Sequence, residues 1–69
     1  MKTVAVITPF ARRFELYCKQ HPEDRNINAY YLEKQIGLVF DEVIVLAETD
    51  EWDSAIAEAF ETAVSRKRR

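Results

Sequence analysis

Two continuous apolar runs, each followed by a helical pattern, organise the chain. Residues 2–8 (KTVAVIT) and 42–47 (EVIVLA) are rich in β-branched residues and do not alternate with polar residues. Such runs are typical of parallel strands that are covered on both faces. We therefore predict two parallel strands, which a right-handed crossover through the helix that follows the first run would place side by side.

The first helix is predicted over about residues 9–21. Thr8 is the expected cap, and Pro9 suits the first helical position because its missing N–H costs nothing there. Leu16 falls on the polar side of this helix. Apolar residues recur at helical spacing on the other side and predict a buried face: Phe10, Phe14, Tyr17 and Cys18.

The middle of the chain allows two interpretations. Residues 22–28 (PEDRNIN) are typical of a polar loop. Beyond it, Asn28 as a cap and Gly37 as a stop favour a short helix with Ala29, Leu32 and Ile36 on one face. The alternative is a short strand through Ile27, Ala29 and Tyr31, which would give the sheet three strands instead of two.

A second long helix is predicted over about residues 50–65. Its apolar stripe consists of Trp52, Ile56, Ala59, Phe60, Ala63 and Val64. The order of elements predicts the α/β class, as a small Rossmann-like half unit with two or three parallel strands. We expect a single α/β domain over residues 1–65 and a basic C-terminal tail at 66–69.

The size and composition of the chain exclude several classes of protein. Sixty-nine residues form one small domain, which buries only about 60% of its unfolded surface and gains from self-association. One Cys and one His cannot supply a disulfide or a structural zinc site. No apolar run approaches the ~20 residues of a membrane span, and none is typical of a signal peptide. We expect a cytoplasmic protein without a metal or cofactor.

Charge is distributed unevenly. Residues 41–61 contain eight acidic side chains, no Lys or Arg occurs between Gln35 and Ser65, and residues 66–69 are all basic. A net charge of −6 over residues 1–65 disfavours binding to nucleic acid. Any such contact would use Arg66, Lys67, Arg68 and Arg69, which we expect to form a solvated tail.

Candidate sites follow from the predicted topology. Ligands of open parallel sheets bind beyond the carboxyl ends of the strands, where helices also present free N–H groups. The candidate ligand edge consists of Thr8, Arg12, Arg13, Glu48 and Asp50. The acids of residues 48–53 also suit the first turn of a helix, because its dipole favours them by about 0.3–1 kcal/mol each. We favour this structural interpretation, and no set of residues predicts a catalytic centre.

Apolar residues that we expect to remain partly exposed indicate a different function. The candidate interface consists of Leu16, Tyr30, Tyr31 and Trp52, and aromatic anchors of this kind are typical of protein interfaces. We therefore expect a protein partner and a homodimer.

Two resemblances extend these expectations. The segments VITPF and VIVLAETDEWDSAIAEAFETA resemble nucleoside 2-deoxyribosyltransferase-like proteins through Trp52, Ser54, Ala63 and a helix glutamate. This resemblance implies a nucleotide- or phosphate-handling enzyme with Glu58 or Glu61 as the nucleophile, although Ala55 stands where the family has Gly.

The second resemblance covers most of residues 12–46. The run RRFELYCKQH, the Tyr-bearing segment after it and GLVFDEVIVL resemble small phage-encoded α/β proteins. This resemblance implies a non-enzymatic accessory or inhibitory protein that binds a host or phage protein.

Overall fold

The chain forms a three-stranded parallel sheet with helices, which confirms the predicted small α/β fold. The computed structural model describes residues 1–31, 38–47 and 52–68. The elements in chain order are β1 (Thr3–Ile7), α1 (Ala11–Gln20), β2 (Arg25–Asn28), a 3-10 turn (Ala29–Tyr31), β3 (Glu42–Val45) and α2 (Ser54–Ser65). The strands lie in the order β2-β1-β3, and both pairs are parallel.

The central strand, β1, is covered on both faces. Residues 4–7 are completely buried, as the uninterrupted apolar run predicts. The two predicted strands are neighbours, but the first helix does not connect them. Instead, α1 connects β1 to β2, and the chain returns from β2 to form β3 on the other side of β1.

One face of the sheet carries the main hydrophobic core, beneath α2. Ala5 and Ile7 point to this face, as do their neighbours at the same register on β3. The buried members of the cluster are Ala5, Ile7, Ala29, Phe40, Ile56 and Ala63. Full burial of a side chain as large as Ile56 stabilises the fold by roughly 1.5–3 kcal/mol.

The opposite face, beneath α1, is much less closed. Val4 and Val6 are buried there, but no residue of α1 is. The predicted buried face of this helix is therefore wrong for Phe10, which is 40% exposed, while Phe14, Tyr17 and Cys18 are half-buried. One reason is that the strands beside β1 present polar residues to this helix, since Asn26 and Asn28 pair with the two valines.

The first helix begins later than predicted. Phe10 is the N-cap residue, with extended backbone and no side-chain cap, so Thr8 and Pro9 precede the helix. The hydroxyl of Thr8 instead accepts a hydrogen bond from the N–H of Phe10 (3.2 Å). Because Phe10 lies before the first helical turn, its ring does not share the helix face of Phe14.

The middle segment contains a third strand, so the alternative interpretation is confirmed for Ile27 but is wrong for Ala29 and Tyr31, which belong to the 3-10 turn. Residues 25–28 pair with β1, and the N–H of Arg25 donates to the carbonyl of Lys2 (2.7 Å). The predicted polar loop at 22–28 is therefore wrong in its second half. Asn28 does act as a cap, because its Oδ1 accepts from the N–H of Tyr30 (3.1 Å), but it caps a 3-10 turn. Leu32, Ile36 and Gly37 lie outside the described residues.

The second helix is capped by Asp53, whose Oδ1 accepts from the N–H of Ile56 (2.9 Å). It therefore begins at Ser54 and not near Asp50. The predicted apolar stripe is confirmed for Ile56 and Ala63, which are buried, and for the half-buried Ala59. Two further members of the stripe, Phe60 and Val64, are at least a third exposed, and Trp52 is 52% exposed, in agreement with its expected partial exposure.

The basic end of the chain is attached to the domain through its backbone. The N–H of Phe40 donates to the carbonyl of Arg66 (3.1 Å), and the N–H of Arg68 donates to the carbonyl of Phe40 (2.6 Å). The side chains of Lys67 and Arg68 remain exposed. Residues 66–68 are thus held in place, unlike the solvated tail that we expected. Within the described ranges, no helix is long and apolar enough to cross a membrane.

Candidate functional site

The carboxyl edge of the sheet is closed at its centre by Thr8 and Asn28. Thr8 is completely buried. The side-chain amide of Asn28 donates to the carbonyl of Thr8 (3.0 Å), and its oxygen accepts from the N–H of Thr8 (3.4 Å). This clamp joins the ends of β1 and β2, so Thr8 has a structural role at the edge where we expected it to contact a ligand.

Two arginines border this closed centre. Arg12 and Arg13 are exposed in the first turn of α1, and the guanidinium of Arg13 lies 5.8 Å from the centroid of the Phe10 ring. At this distance the cation is attracted by the face of the ring. Glu48 and Asp50, the acidic members of the predicted ligand edge, lie outside the described residues.

Exposed aromatic side chains follow the carboxyl ends of all three strands. Phe10 follows β1, Tyr31 follows β2 and Trp52 comes after β3, with exposed fractions of 40%, 62% and 52%. The hydroxyl of Tyr31 donates to the carbonyl of Pro9 (2.9 Å), which places two of these rings in neighbouring segments.

The direction of α2 places Trp52 at the same edge. The carboxyl end of α2 lies near Phe40, which precedes β3, so the helix runs antiparallel to the strands. Trp52, just before its first turn, therefore lies toward the carboxyl ends of the strands, with its ring against Phe60 (centroids 6.1 Å apart). We call Phe10, Tyr31 and Trp52 the aromatic edge.

The remaining interface candidates lie elsewhere. Tyr30 is half-buried against the core and contacts Tyr31 edge to face (4.9 Å between centroids). Leu16 is 57% exposed, as predicted from its position on the polar side of α1. It lines a groove of about 400 Å³ between α1 and the end of β3, together with Arg13, Tyr17, Gln20 and Leu46.

Sequence reasoning missed two members of these surfaces. Phe10 fitted the helical spacing of the buried face, although Pro9 before it is a signal that the helix could start later. Leu46 belonged to a continuous apolar strand, and nothing in its own segment shows that the neighbouring helix leaves it half-buried.

A polar cluster occupies the opposite end of the α1 face. The ammonium of Lys2 donates to Glu42 (2.7 Å), and this hydrogen bond raises the pKa of Lys2 and lowers the pKa of Glu42. Burial raises the pKa of the Tyr17 phenol, and the carboxylates of Glu42 and Asp24 add to this effect. These groups stabilise one another at the amino end of the sheet, away from the aromatic edge.

The turn after α1 brings three metal-binding residue types together. Ligand atoms of His21, Glu23 and Asp24 lie within 4.8 Å of one another. The turn itself accounts for this proximity, because the N–H of Asp24 donates to the carbonyl of His21 (3.3 Å) and the amide of Asn26 donates to the same carbonyl (3.0 Å). We assign no metal site to these residues.

Comparisons with known proteins give no family for the chain. The sequence matches no protein-family model, and neither curated proteins nor solved structures give a match. Since a fold alone does not define a function, the function has to be inferred from the surfaces described above.

Proposed function

We propose that this chain is a small non-enzymatic protein-binding domain, accessory or inhibitory in role, and that its aromatic edge is the binding surface. The observation that carries this proposal is the presence of an exposed aromatic side chain after every strand. A partner would cover Phe10, Tyr31 and Trp52 together with the exposed arginines of α1. Because residues 12–46 resemble small phage-encoded α/β proteins, the partner in this proposal is a host or phage protein in the cytoplasm.

The chemistry of this edge suits a protein partner. Trp, Tyr and Arg are the residue types that most often dominate the energy of protein interfaces. The ring of Tyr31 is held by its hydrogen bond to the Pro9 carbonyl, and Arg13 is held by the Phe10 ring. Side chains that are already ordered lose less conformational entropy when a partner covers them.

Site-specific crosslinking tests this proposal. A photoreactive phenylalanine analogue is placed at Tyr31, at Trp52 or at Val39, which is 47% exposed and lies near the other end of the sheet. The same protein should be crosslinked from positions 31 and 52 and not from position 39. With that partner purified, Trp52→Ala should weaken binding at least tenfold and Val39→Ala less than twofold. Equal crosslinking from all three positions would contradict the proposal.

A second candidate function has one observation in its favour. The order β2-β1-β3 places a topological switch point at the carboxyl ends of β1 and β3, beside the first turn of α1 with its two arginines. Open α/β sheets bind ligands at such points. This favours a nucleotide- or phosphate-handling enzyme, as the resemblance to nucleoside 2-deoxyribosyltransferase-like proteins implies.

The proposed nucleophiles of that enzyme do not lie with the arginines. Glu58 lines a separate cavity of about 210 Å³ beside Ala29 and Tyr30, and Glu61 is exposed on α2. Thermal unfolding with nucleosides, nucleotides and Mg²⁺ separates the two candidates. A ligand at 100 times its dissociation constant adds about 2.7 kcal/mol of stability. The absence of any shift in melting temperature would leave the enzyme candidate without support.

A further inference from the structure

The cavity beside Ala29 and Tyr30 is a separate surface that the proposed function does not use. Its volume is about 210 Å³, and an apolar cavity of about 150 Å³ is already large enough to hold a benzene molecule. The described residues that line it include none of Phe10, Tyr31 and Trp52. The cavity therefore has room for a small organic molecule, away from the aromatic edge.

Small side chains on α2 leave the room for this cavity. Ala55, Ala59 and Ala63 follow one another at intervals of four residues and therefore lie on one face of the helix. Tyr30, which is half-buried, and Phe40, which is fully buried, line the cavity from the neighbouring segments. These walls suit the apolar body of a ligand, since small-molecule sites are mostly apolar with a few placed polar groups.

Arg66 is the one cation among the described residues that line the cavity. Its backbone is fixed at the end of α2, because its N–H donates to the carbonyl of Ala63 (3.2 Å) and its carbonyl accepts from the N–H of Phe40 (3.1 Å). The Nη1 atom of its side chain is buried. A cation that is partly withdrawn from water attracts an anion more strongly than a fully solvated one does.

The guanidinium can bind an anion and keep its contacts within the protein. Arg66 takes part in a further interaction within the chain. A guanidinium has five N–H donors in a planar fork, and two of them match the two oxygens of a carboxylate. Thr62, one turn earlier on α2, lines the same cavity and carries a hydroxyl. This end of the cavity is therefore suited to a carboxylate.

Glu58 limits the charge that the cavity can accept. It lines the cavity and is exposed to solvent. Positions 58 and 66 are eight residues apart, which corresponds to about 12 Å along a helix. A single negative charge at Arg66 is thus kept away from Glu58. A multiply charged anion such as phosphate would need more than one cation to balance it, so the cavity favours a ligand with one carboxylate.

We propose that this cavity binds a small organic monocarboxylate. The carboxylate pairs with the guanidinium of Arg66 at the carboxyl end of α2. The apolar body of the ligand lies over Ala59 and Ala63 and contacts Tyr30 and Phe40. The site uses no residue of the aromatic edge, so this inference goes beyond the proposed function.

Titration of the full chain with benzoate and with hexanoate, followed by amide NMR, tests this site. Both carboxylates should give saturable shifts of the amides of Ala59, Ala63 and Arg66, with dissociation constants of about 10 mM or less. Benzamide has nearly the same shape as benzoate but no charge, and should bind roughly tenfold or more weakly. Inorganic phosphate should give no saturable shift of these amides.

Two variants and a matched control complete the test. Arg66→Gln removes the cation, leaves the backbone bonds to Ala63 and Phe40 possible, and should weaken benzoate binding roughly tenfold or more. Ala59→Leu fills the cavity without a change of charge and should abolish the shifts. The control Arg68→Gln makes the same change of charge at an exposed side chain and should alter the affinity less than about twofold. Circular dichroism confirms that each variant folds.

Three results would overturn the proposal. They are the absence of saturable shifts with both carboxylates, benzamide binding as tight as that of benzoate, and an unchanged affinity for benzoate in Arg66→Gln. Crosslinking from positions 31 and 52 tests the proposed function at other residues, so the failure of one proposal does not imply the failure of the other.

Discussion

The two faces of the sheet differ in how completely they are covered. Beneath α2, a continuous cluster that includes Ile7, Phe40 and Ile56 is fully buried. Beneath α1, only Val4 and Val6 of the strand are buried, and no residue of the helix is. The difference indicates that α2 and the strands provide most of the stability, whereas α1 is held by half-buried contacts.

This asymmetry connects the fold to the proposed function. A helix that the core does not fully cover can present Arg12 and Arg13 beside the aromatic edge without loss of buried contacts. On this face of the sheet, Val4 and Val6 lie beside the asparagines of β2, and Val4 also lies beside Glu42 of β3. The fold thus has a well-buried face beneath α2 and a less buried face beneath α1 within one small domain.

The largest loss of stability is expected when a substitution leaves a cavity in the core beneath α2. Ile56→Ala removes most of a fully buried side chain and should reduce the free energy of unfolding by about 2–5 kcal/mol. Phe14→Ala removes a larger side chain that is only half-buried, and should cost about half as much or less. Urea unfolding of both variants measures the difference. Equal losses would show that the two faces contribute equally.

Removal of the clamp between Asn28 and Thr8 at the carboxyl edge should cause the next largest loss of stability. Asn28→Ala removes the partners of two Thr8 backbone groups and of the Tyr30 N–H, and should cost about 1–3 kcal/mol. Asn28→Asp keeps the oxygen that accepts from Tyr30 and loses the donor to Thr8. Its melting temperature should lie below that of the wild type, as the Ala variant's should, and a wild-type value for both variants would exclude the clamp.

The cap of α2 should contribute less. Asp53→Ala leaves the N–H of Ile56 without its side-chain acceptor and should cost about 1 kcal/mol. Asp53→Asn keeps an acceptor at the same position and should recover most of that loss in thermal unfolding. If Asp53→Asn is as unstable as Asp53→Ala, the charge of the aspartate and not its hydrogen bond is the stabilising factor.

The polar pair on the α1 face should have the smallest effect, because both side chains are well exposed to solvent. The pKa of Glu42 is lowered by its hydrogen bond from Lys2, so the stabilisation is present above the ordinary value of 4.5 and is lost as the pH falls through the folded-state pKa. The pKa of Lys2 is raised, so on the basic side the contribution is lost as the pH rises above 10.5. In the Lys2→Gln variant, NMR of the carboxyl groups should show the pKa of Glu42 returning toward 4.5. An unchanged pKa would show that Lys2 is not the cause of the lowered pKa.

The parts of the fold that the sequence predicted share one property: their signals are local. The apolar runs identified β1 and β3, and helical spacing identified α1 and α2. β2 was predicted only as an alternative, a strand through Ile27, Ala29 and Tyr31, and its actual position at Arg25–Asn28 was missed because the sequence RNIN is polar. It is specified by pairing with β1 and by the contacts of Asn28 with Thr8, twenty residues away. No pattern within residues 25–28 reveals those partners.

For the candidate site, as for the fold, the sequence predicted the local features but not the arrangement that brings the residues together. The exposure of Leu16, Tyr31 and Trp52 follows from local patterns and agrees with the structure. The location of Tyr31 and Trp52 at one edge of the sheet depends on the strand order and on the direction of α2. Phe10 joins them because the helix begins one residue after it, which the spacing of apolar residues did not indicate.

Native-state hydrogen exchange compares the two faces most directly. The free energy of opening is measured for each amide of α1, α2 and β1 under conditions in which the protein is folded. We predict that the amides of α1 open at a free energy well below that of global unfolding, while those of β1 and of α2 around Ile56 open only when the whole domain unfolds. Opening of α1 and α2 at the same free energy would contradict the division into a well-buried, stabilising face and a less buried face.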